Sequence, residues 1–171
     1  LSLLEVSGPF LSLPVLMRVF PQGLDDCDRD TTRELRLAYE EWEDSHDPAL
    51  HTAWLRYVLG RTLEYPSEYL LEGQALPPGL EARLAEHNET LRPTHALMAP
   101  GESRPRLLVH THPRDQALDK PLPGRAWKAS PATRMMTLLL ATEVPLGLVT
   151  NGDQWMLVSA QRGQTSSYIT W

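Results

Sequence analysis

Between residues 93 and 158 the pattern of elements changes four times, and few folds accommodate that order. Residues 94–99 and 106–112 read as two short apolar strands joined by Pro100-Gly101-Glu102-Ser103, a composition that favours a tight turn. Ser130-Pro131 then caps a helix with core face Met135, Leu138, Leu139 and Thr142. Met136 and Leu140 are also apolar, so burial on two sides is expected. Residues 146–150 and 154–160 are strands flanking Asn151-Gly152-Asp153, a hairpin signal, and 167–171 is a last strand. The order β-β-α-β-β predicts an α/β or α+β fold, with a mixed central sheet flanked by helices.

The part before this core, residues 1–92, reads as mainly helical. Pro9 is placed to open a short helix with Val15, Leu16 and Val19 turned inward. Asp25, Asp26, Asp28 and Asp30 form an acidic loop without the Gly and Glu spacing of a calcium-binding loop. Thr31-x-x-Glu34 has the form of a capping box, followed by Leu35, Ala38, Tyr39 and Trp42 on one helix face. Asp47-Pro48 opens a second helix with Leu50, Trp54, Tyr57 and Val58 on its stripe. Trp42 and Trp54 therefore read as core. Residues 80–88 are expected to be a polar helix with Glu81, Glu86 and Glu89 facing solvent.

With 171 residues, 42% of them hydrophobic and 22% charged, the chain is long enough for one domain with a substantial core. A net charge of -6 excludes a uniformly basic coat for nucleic acid but not a local basic patch. The single cysteine, Cys27, has no internal partner, which suits a cytoplasmic protein; its acidic surroundings disfavour a thiolate nucleophile. No apolar run reaches the roughly 18 residues of a membrane span. The start at Leu1 without a methionine, and the strand-like run up to Trp171, predict a fragment of a longer polypeptide.

Strand, strand, helix, then Gly147-Leu148-Val149-Thr150-Asn151-Gly152 followed by Trp155, resembles the PD-(D/E)xK restriction nucleases. The likeness is to the N-terminal domains of type I and type IIG restriction enzymes, which are fused to an adenine-specific DNA methyltransferase. The opening Leu4-Glu5-Val6-Ser7-Gly8-Pro9-Phe10 is similar to the start of large methylase subunits of phage-defence systems such as DISARM and BREX. The resemblance implies a nuclease-like sheet and a parent chain that uses S-adenosylmethionine, with no cofactor in these residues. It also implies DNA, the methyltransferase domain of the same parent chain or other defence-system subunits as partners, and no membrane.

In that family an acid on one strand and an acid-x-Lys on the next hold Mg²⁺ and position the attacking water. The matching positions here are Thr94, His110 and His112, so the resemblance implies the fold without the cleavage. Glu5 or Glu34 stands where the family places a helical acid. The resemblance further places a basic loop, with Arg114, Lys120, Arg125 and Lys128, and Arg134 just beyond it, near the former catalytic face as DNA contacts. Two alternatives stay open. One is an active nuclease whose acids have moved to Glu102, Asp115 or Asp119; the other is a pure protein-interaction domain. From the residues alone, His95, His110 and His112 also pose the question of a three-histidine zinc site, although no fourth ligand is evident.

Overall fold

A computed structural model describes residues 5–8, 12–23 and 28–171. Contacts divide the chain into two compact units: Leu11–Ser67, and Leu1–Phe10 together with Glu68–Trp171.

The first unit is helical, with α1 (Leu13–Val19), α2 (Arg29–Glu43) and α3 (Pro48–Tyr57). Helix α2 begins earlier than its expected capping box. The carboxylate of Asp28 accepts from the Thr31 amide at 2.9 Å and from the Thr31 hydroxyl at 3.0 Å. An anionic cap at the positive helix end supplants the Thr31 hydroxyl, which becomes a first-turn residue. Asp47 caps α3 as expected, accepting from the Ala49 amide at 2.8 Å ahead of a first-turn Pro48. Tyr39, Trp42, Trp54 and Tyr57 interlock between the two helices; Trp42 and Trp54 stack with ring centres 5.6 Å apart. Both tryptophans are core residues, and the Trp42 indole N–H donates to His51 Nδ1 at 3.1 Å, which satisfies its polar edge. Beyond α3 the backbone widens into a looser turn over Val58–Thr62, where the Leu63 amide reaches back to the Val58 carbonyl at 2.8 Å. Val15 and Leu16 of α1 are partly buried, but Val19, expected inward, is exposed. Pro9, Asp25, Asp26 and Cys27 lie outside the described residues.

The second unit is mixed α/β. Its strands are β1 (Glu5–Ser7), β2 (Leu70–Glu72), β3 (Ala82–Leu84), β4 (Glu89–Leu91), β5 (His95–Leu97), β6 (Leu107–Thr111), β7 (Leu146–Thr150), β8 (Trp155–Ser159) and β9 (Ser167–Thr170), with α4 (Pro131–Thr142) between β6 and β7. Seven strands form one sheet in the order β1-β9-β8-β7-β6-β5-β2; β3 and β4 pair separately. β6 and β7 run parallel, joined through α4, and every other neighbouring pair is antiparallel. The five strands expected from 94 onward are present, with ends trimmed by a residue or two.

The expected helix over 80–88 is absent. That segment is the β3–β4 hairpin, turned by a short 3₁₀ stretch at Ala85–His87 and by Asn88 in the left-handed region (φ 48°). Leu80 and Leu84 have helical spacing, but Ala82, Leu84 and Leu91 also alternate, and they pack into the cluster around α4. Of the three acids expected to face solvent, Glu86 is exposed, whereas Glu81 is bonded to Arg83 and Arg92, and Glu89 to Arg134.

Helix α4 lies on the sheet through Met135, Leu138 and Leu139, all nearly inaccessible. Leu140 is exposed and Met136 flanks the core, and the helix packs against the β3–β4 hairpin as well as on the main sheet. Gly147 of β7 is where helix and sheet meet most closely: a Cβ there would lie 2.5 Å from Met135 Cγ and Sδ. The glycine of the Gly-Leu-Val-Thr-Asn-Gly run thus answers a packing demand. Gly147→Val is expected to lower stability by about 1–3 kcal/mol through overpacking. Gly147→Ala is expected to cost less, because the unbranched Met135 chain can shift. Urea denaturation of the two variants tests the order, and equal losses would contradict it.

Candidate functional site

Alternation along β6 decides which histidines share a site. His110 and His112 are two residues apart, lie on the same face, and have ring centres 4.6 Å apart. His95 pairs across the ladder with Val109 and so lies on the opposite face. There its Nε2 is 3.2 Å from Glu72, and its Nδ1 is 3.0 Å from the Thr94 hydroxyl. The three-histidine zinc arrangement is therefore not formed. Among the described residues no group of three His, Cys, Asp or Glu is placed to hold a metal.

His110 and His112 belong to the wall of a cavity of about 210 Å³, together with Glu89, Arg92, Arg125 and Arg134. It is bounded by the β4 hairpin, β6, the 113–129 loop and the flank of α4. His110 Nδ1 is 2.9 Å from the Arg92 carbonyl oxygen, which can only accept. The Nδ1 therefore carries the proton and Nε2 the lone pair. Burial lowers the His110 pKa. It pushes His112 down to about 3, with smaller contributions from His110 and Arg134. Both rings are neutral at pH 7.

Thr94 is committed to the backbone. Its hydroxyl donates to the Val109 carbonyl at 3.0 Å and accepts from the Thr111 amide at 3.1 Å. It fastens the start of β5 to β6, which a carboxylate, lacking a donor, cannot do in the same way.

The charges around the cavity come as two clusters. Glu89 receives Arg134 in a two-pronged pair at 2.7 and 3.1 Å, with Arg125 farther away at 3.6 Å. Glu81 is shared between Arg83 and Arg92, each at 2.7 Å. Bonding from Arg134 holds the Glu89 carboxyl below its ordinary pKa, and bonding from Arg92 and Arg83 does the same for Glu81. Arg134, expected as an exposed DNA contact, is buried. Besides pairing with Glu89 it donates to the Trp127 and Ala129 carbonyls and sits 5.1 Å from the Trp127 ring centre. Trp127 in turn stacks on His87. Arg134 is a structural tie that closes the loop against the hairpin.

Of the other expected contacts, Arg125 lines the cavity, whereas Arg114, Lys120 and Lys128 lie outside its wall. Lys120 is exposed beside Asp119, and Lys128 is exposed. The acids considered as relocated ligands are not there either. Glu102 is paired with Arg106, and Asp115 and Asp119 are exposed away from the cavity. Glu34 is 3.6 Å from Arg61 in the helical unit, and Glu5 lies on β1.

Glu89, Arg92 and the inward Arg134 escape a linear reading to different degrees. Arg134 shares helical spacing with Pro131, Met135 and Leu138, so it falls on the buried stripe of α4, a signal that was available. Glu89 and Arg92 carry no comparable local mark.

The neutral state of His112 has a measurable consequence. In the unfolded chain it takes up a proton near its ordinary value of 6.5, whereas in the fold it resists protonation down to about 3. Unfolding is therefore favoured as pH falls between these values. Lowering pH from 7.5 to 5.0 is expected to remove about 2 kcal/mol of stability through this residue. His110 adds in the same direction. His112→Gln is expected to flatten that slope, as read from urea midpoints across the pH range; an unchanged slope would count against a neutral His112.

No known protein family matches the chain, and neither a curated protein nor a solved structure does. Among the described residues no helix is long and apolar enough to cross a membrane.

Proposed function

We propose that the sheet unit is a PD-(D/E)xK-like nuclease core without cleavage chemistry. It serves as a DNA-binding or docking module of a restriction–modification or phage-defence adenine methyltransferase in the cytoplasm. The observation that carries this reading is the chemistry at three positions. Thr94 is bonded into the β5–β6 ladder, and His110 and His112 are neutral imidazoles beside a Glu89 already engaged by Arg134. Such a set offers Mg²⁺, which prefers several oxygen ligands, little to bind. The antiparallel β5–β6 pair followed by a helical crossover into parallel β7 supports the same reading. S-adenosylmethionine belongs to the methyltransferase part of such a parent chain.

The test is plasmid DNA incubated with the 171-residue protein, with and without Mg²⁺ or Mn²⁺, at low and moderate salt. A salt-sensitive mobility shift with intact plasmid is the expected outcome. Metal-dependent nicking would overturn the absence of cleavage. Neither shift nor nicking would leave docking as the module's role, to be sought with the methyltransferase part as partner.

A further inference from the structure

The cavity beneath β4 is lined by three arginines, Arg92, Arg125 and Arg134, and one carboxylate, Glu89; outside its wall Arg92 shares Glu81 with Arg83. The pairing is uneven. Arg134 takes both oxygens of Glu89 at hydrogen-bond distance, which leaves Arg125 at 3.6 Å from an acceptor already in use. Arg92 and Arg83 divide Glu81 between them. Arg92 and Arg125 are also the two mostly exposed arginines in the cavity wall, with side chains 70% and 59% accessible. The rim thus has cationic charge in excess of its own acids, over a floor that includes two imidazoles.

We infer that this cavity binds a phosphomonoester, the terminal phosphate of a nucleic-acid strand or of a free nucleotide, with Arg92 and Arg125 as its charged contacts. The inference deepens the DNA reading and rests on it for the polymer, though not for the phosphate itself. Three observations favour a terminal phosphate over an internal one. A cavity of about 210 Å³ is smaller than the roughly 300–1,000 Å³ typical of drug-sized ligand sites and suits a group of a few heavy atoms. The excess of two guanidiniums matches the charge of a monoester, about -1.5 to -2 at neutral pH. Finally, the Arg92 carbonyl holds the His110 Nδ1 proton, so Nε2 is an acceptor. A monoester near its second ionisation can retain a proton to offer that acceptor, whereas an internal diester has none. The charged and titratable groups around His110 are Glu89 from the hairpin and Arg92 just after it, Arg125 from the loop, Arg134 from α4, His95 from β5, and His112 just beyond β6. An added anion among them favours protonation of His110, so binding is expected to tighten as pH falls from 8 to 6.

The experiment is fluorescence anisotropy of the 171-residue protein with one labelled single-stranded oligonucleotide, bearing either a 5′-phosphate or a 5′-hydroxyl. Inorganic phosphate and a 5′-mononucleotide serve as competitors. The 5′-phosphate form is expected to bind about tenfold more tightly or better, and inorganic phosphate to compete. Arg125→Gln and Arg92→Gln, both at exposed positions, are expected to erase the preference. Arg36→Gln on α2 is expected to leave it intact. Equal affinity for the two ends would overturn the inference while leaving the DNA reading standing, as would a preference that survives both cavity variants. If neither oligonucleotide binds but inorganic phosphate and the mononucleotide bind in an Arg125-dependent way, the phosphate site stands and the DNA reading falls. If none of the four probes binds, both fall.

Discussion

Replacing Arg134 with methionine is expected to cost about 3–5 kcal/mol of folding stability, the largest single loss among changes at the site. The guanidinium is buried and holds three partners: the Glu89 carboxylate and the carbonyls of Trp127 and Ala129. Removing it strands a Glu89 carboxylate whose side chain is only 13% accessible. Without Arg134 the Glu89 carboxyl loses the bonding that depresses its pKa, so the stability this carboxylate gives up on acidification in the parent is no longer lost in the variant. The double variant Arg134→Met/Glu89→Leu is expected to recover most of the loss, because an apolar pair of similar volume often replaces a buried ion pair at little cost. Urea unfolding at pH 7 reads both numbers. A methionine variant as stable as the parent would show that the pair is not what closes the loop against the hairpin.

Asn151→Ala is expected to be the second largest, at about 2–3 kcal/mol. The side chain works in two directions at once. Its Oδ1 accepts from the Asp153 and Gln154 amides at 3.1 and 2.7 Å, shaping the β7–β8 turn. Its Nδ2 donates to the Arg114 and Gln116 carbonyls at 3.4 and 3.0 Å, tying in the long loop. Asn151→Asp separates the two roles: the turn keeps its acceptor, while the loop loses its donors and meets a carboxylate facing two carbonyls. That variant is expected to retain the hairpin but to become susceptible to limited proteolysis within residues 114–128. Loop protection equal to that of the parent would refute the assignment of Asn151 as the tie.

These two residues also mark where reading the chain in one dimension succeeds and where it stops. Asn151 sits in a Thr-Asn-Gly run that announces a hairpin, and the hairpin is there. Its turn spans four residues between Thr150 and Trp155, with the Thr150 hydroxyl accepting from the Gly152 amide and donating to the Gln154 carbonyl. Strands β5 to β9 and the caps of α3 and α4 were legible because alternation, proline and short polar side chains act locally. The β3–β4 hairpin was not legible, because three-residue strands give too few alternations to outweigh Leu80 and Leu84 at helical spacing. What makes it a hairpin is α4, some fifty residues away in sequence. The cavity shows the same division. His110 and His112 were located from their spacing, but their neutrality, and the pairing that removes Arg134 from the set of available cations, depend on segments brought together only by the fold. The basic loop drew attention to Arg125, which lines the cavity. It gave no hint of Arg92, whose carbonyl and guanidinium both serve the cavity.

The pairing of β1 with β9 has a consequence for how the chain acquires this shape. Glu5 lies opposite Thr170, so one edge of the sheet joins segments from the two extremes of the sequence. β2, the next strand in sequence after β1, lies at the other edge. During synthesis at roughly 5–20 residues per second, β1 waits on the order of 10–30 s for its partner to emerge. The helical pair α2–α3 and the β6-α4-β7 crossover close over much shorter loops. They are expected to form early, with the β1 edge zipping on last, as the dependence of folding rate on sequence separation requires. Until then β9 and β8 present open backbone, so a ribosome-bound chain is most exposed to wrong pairing along that side of the sheet.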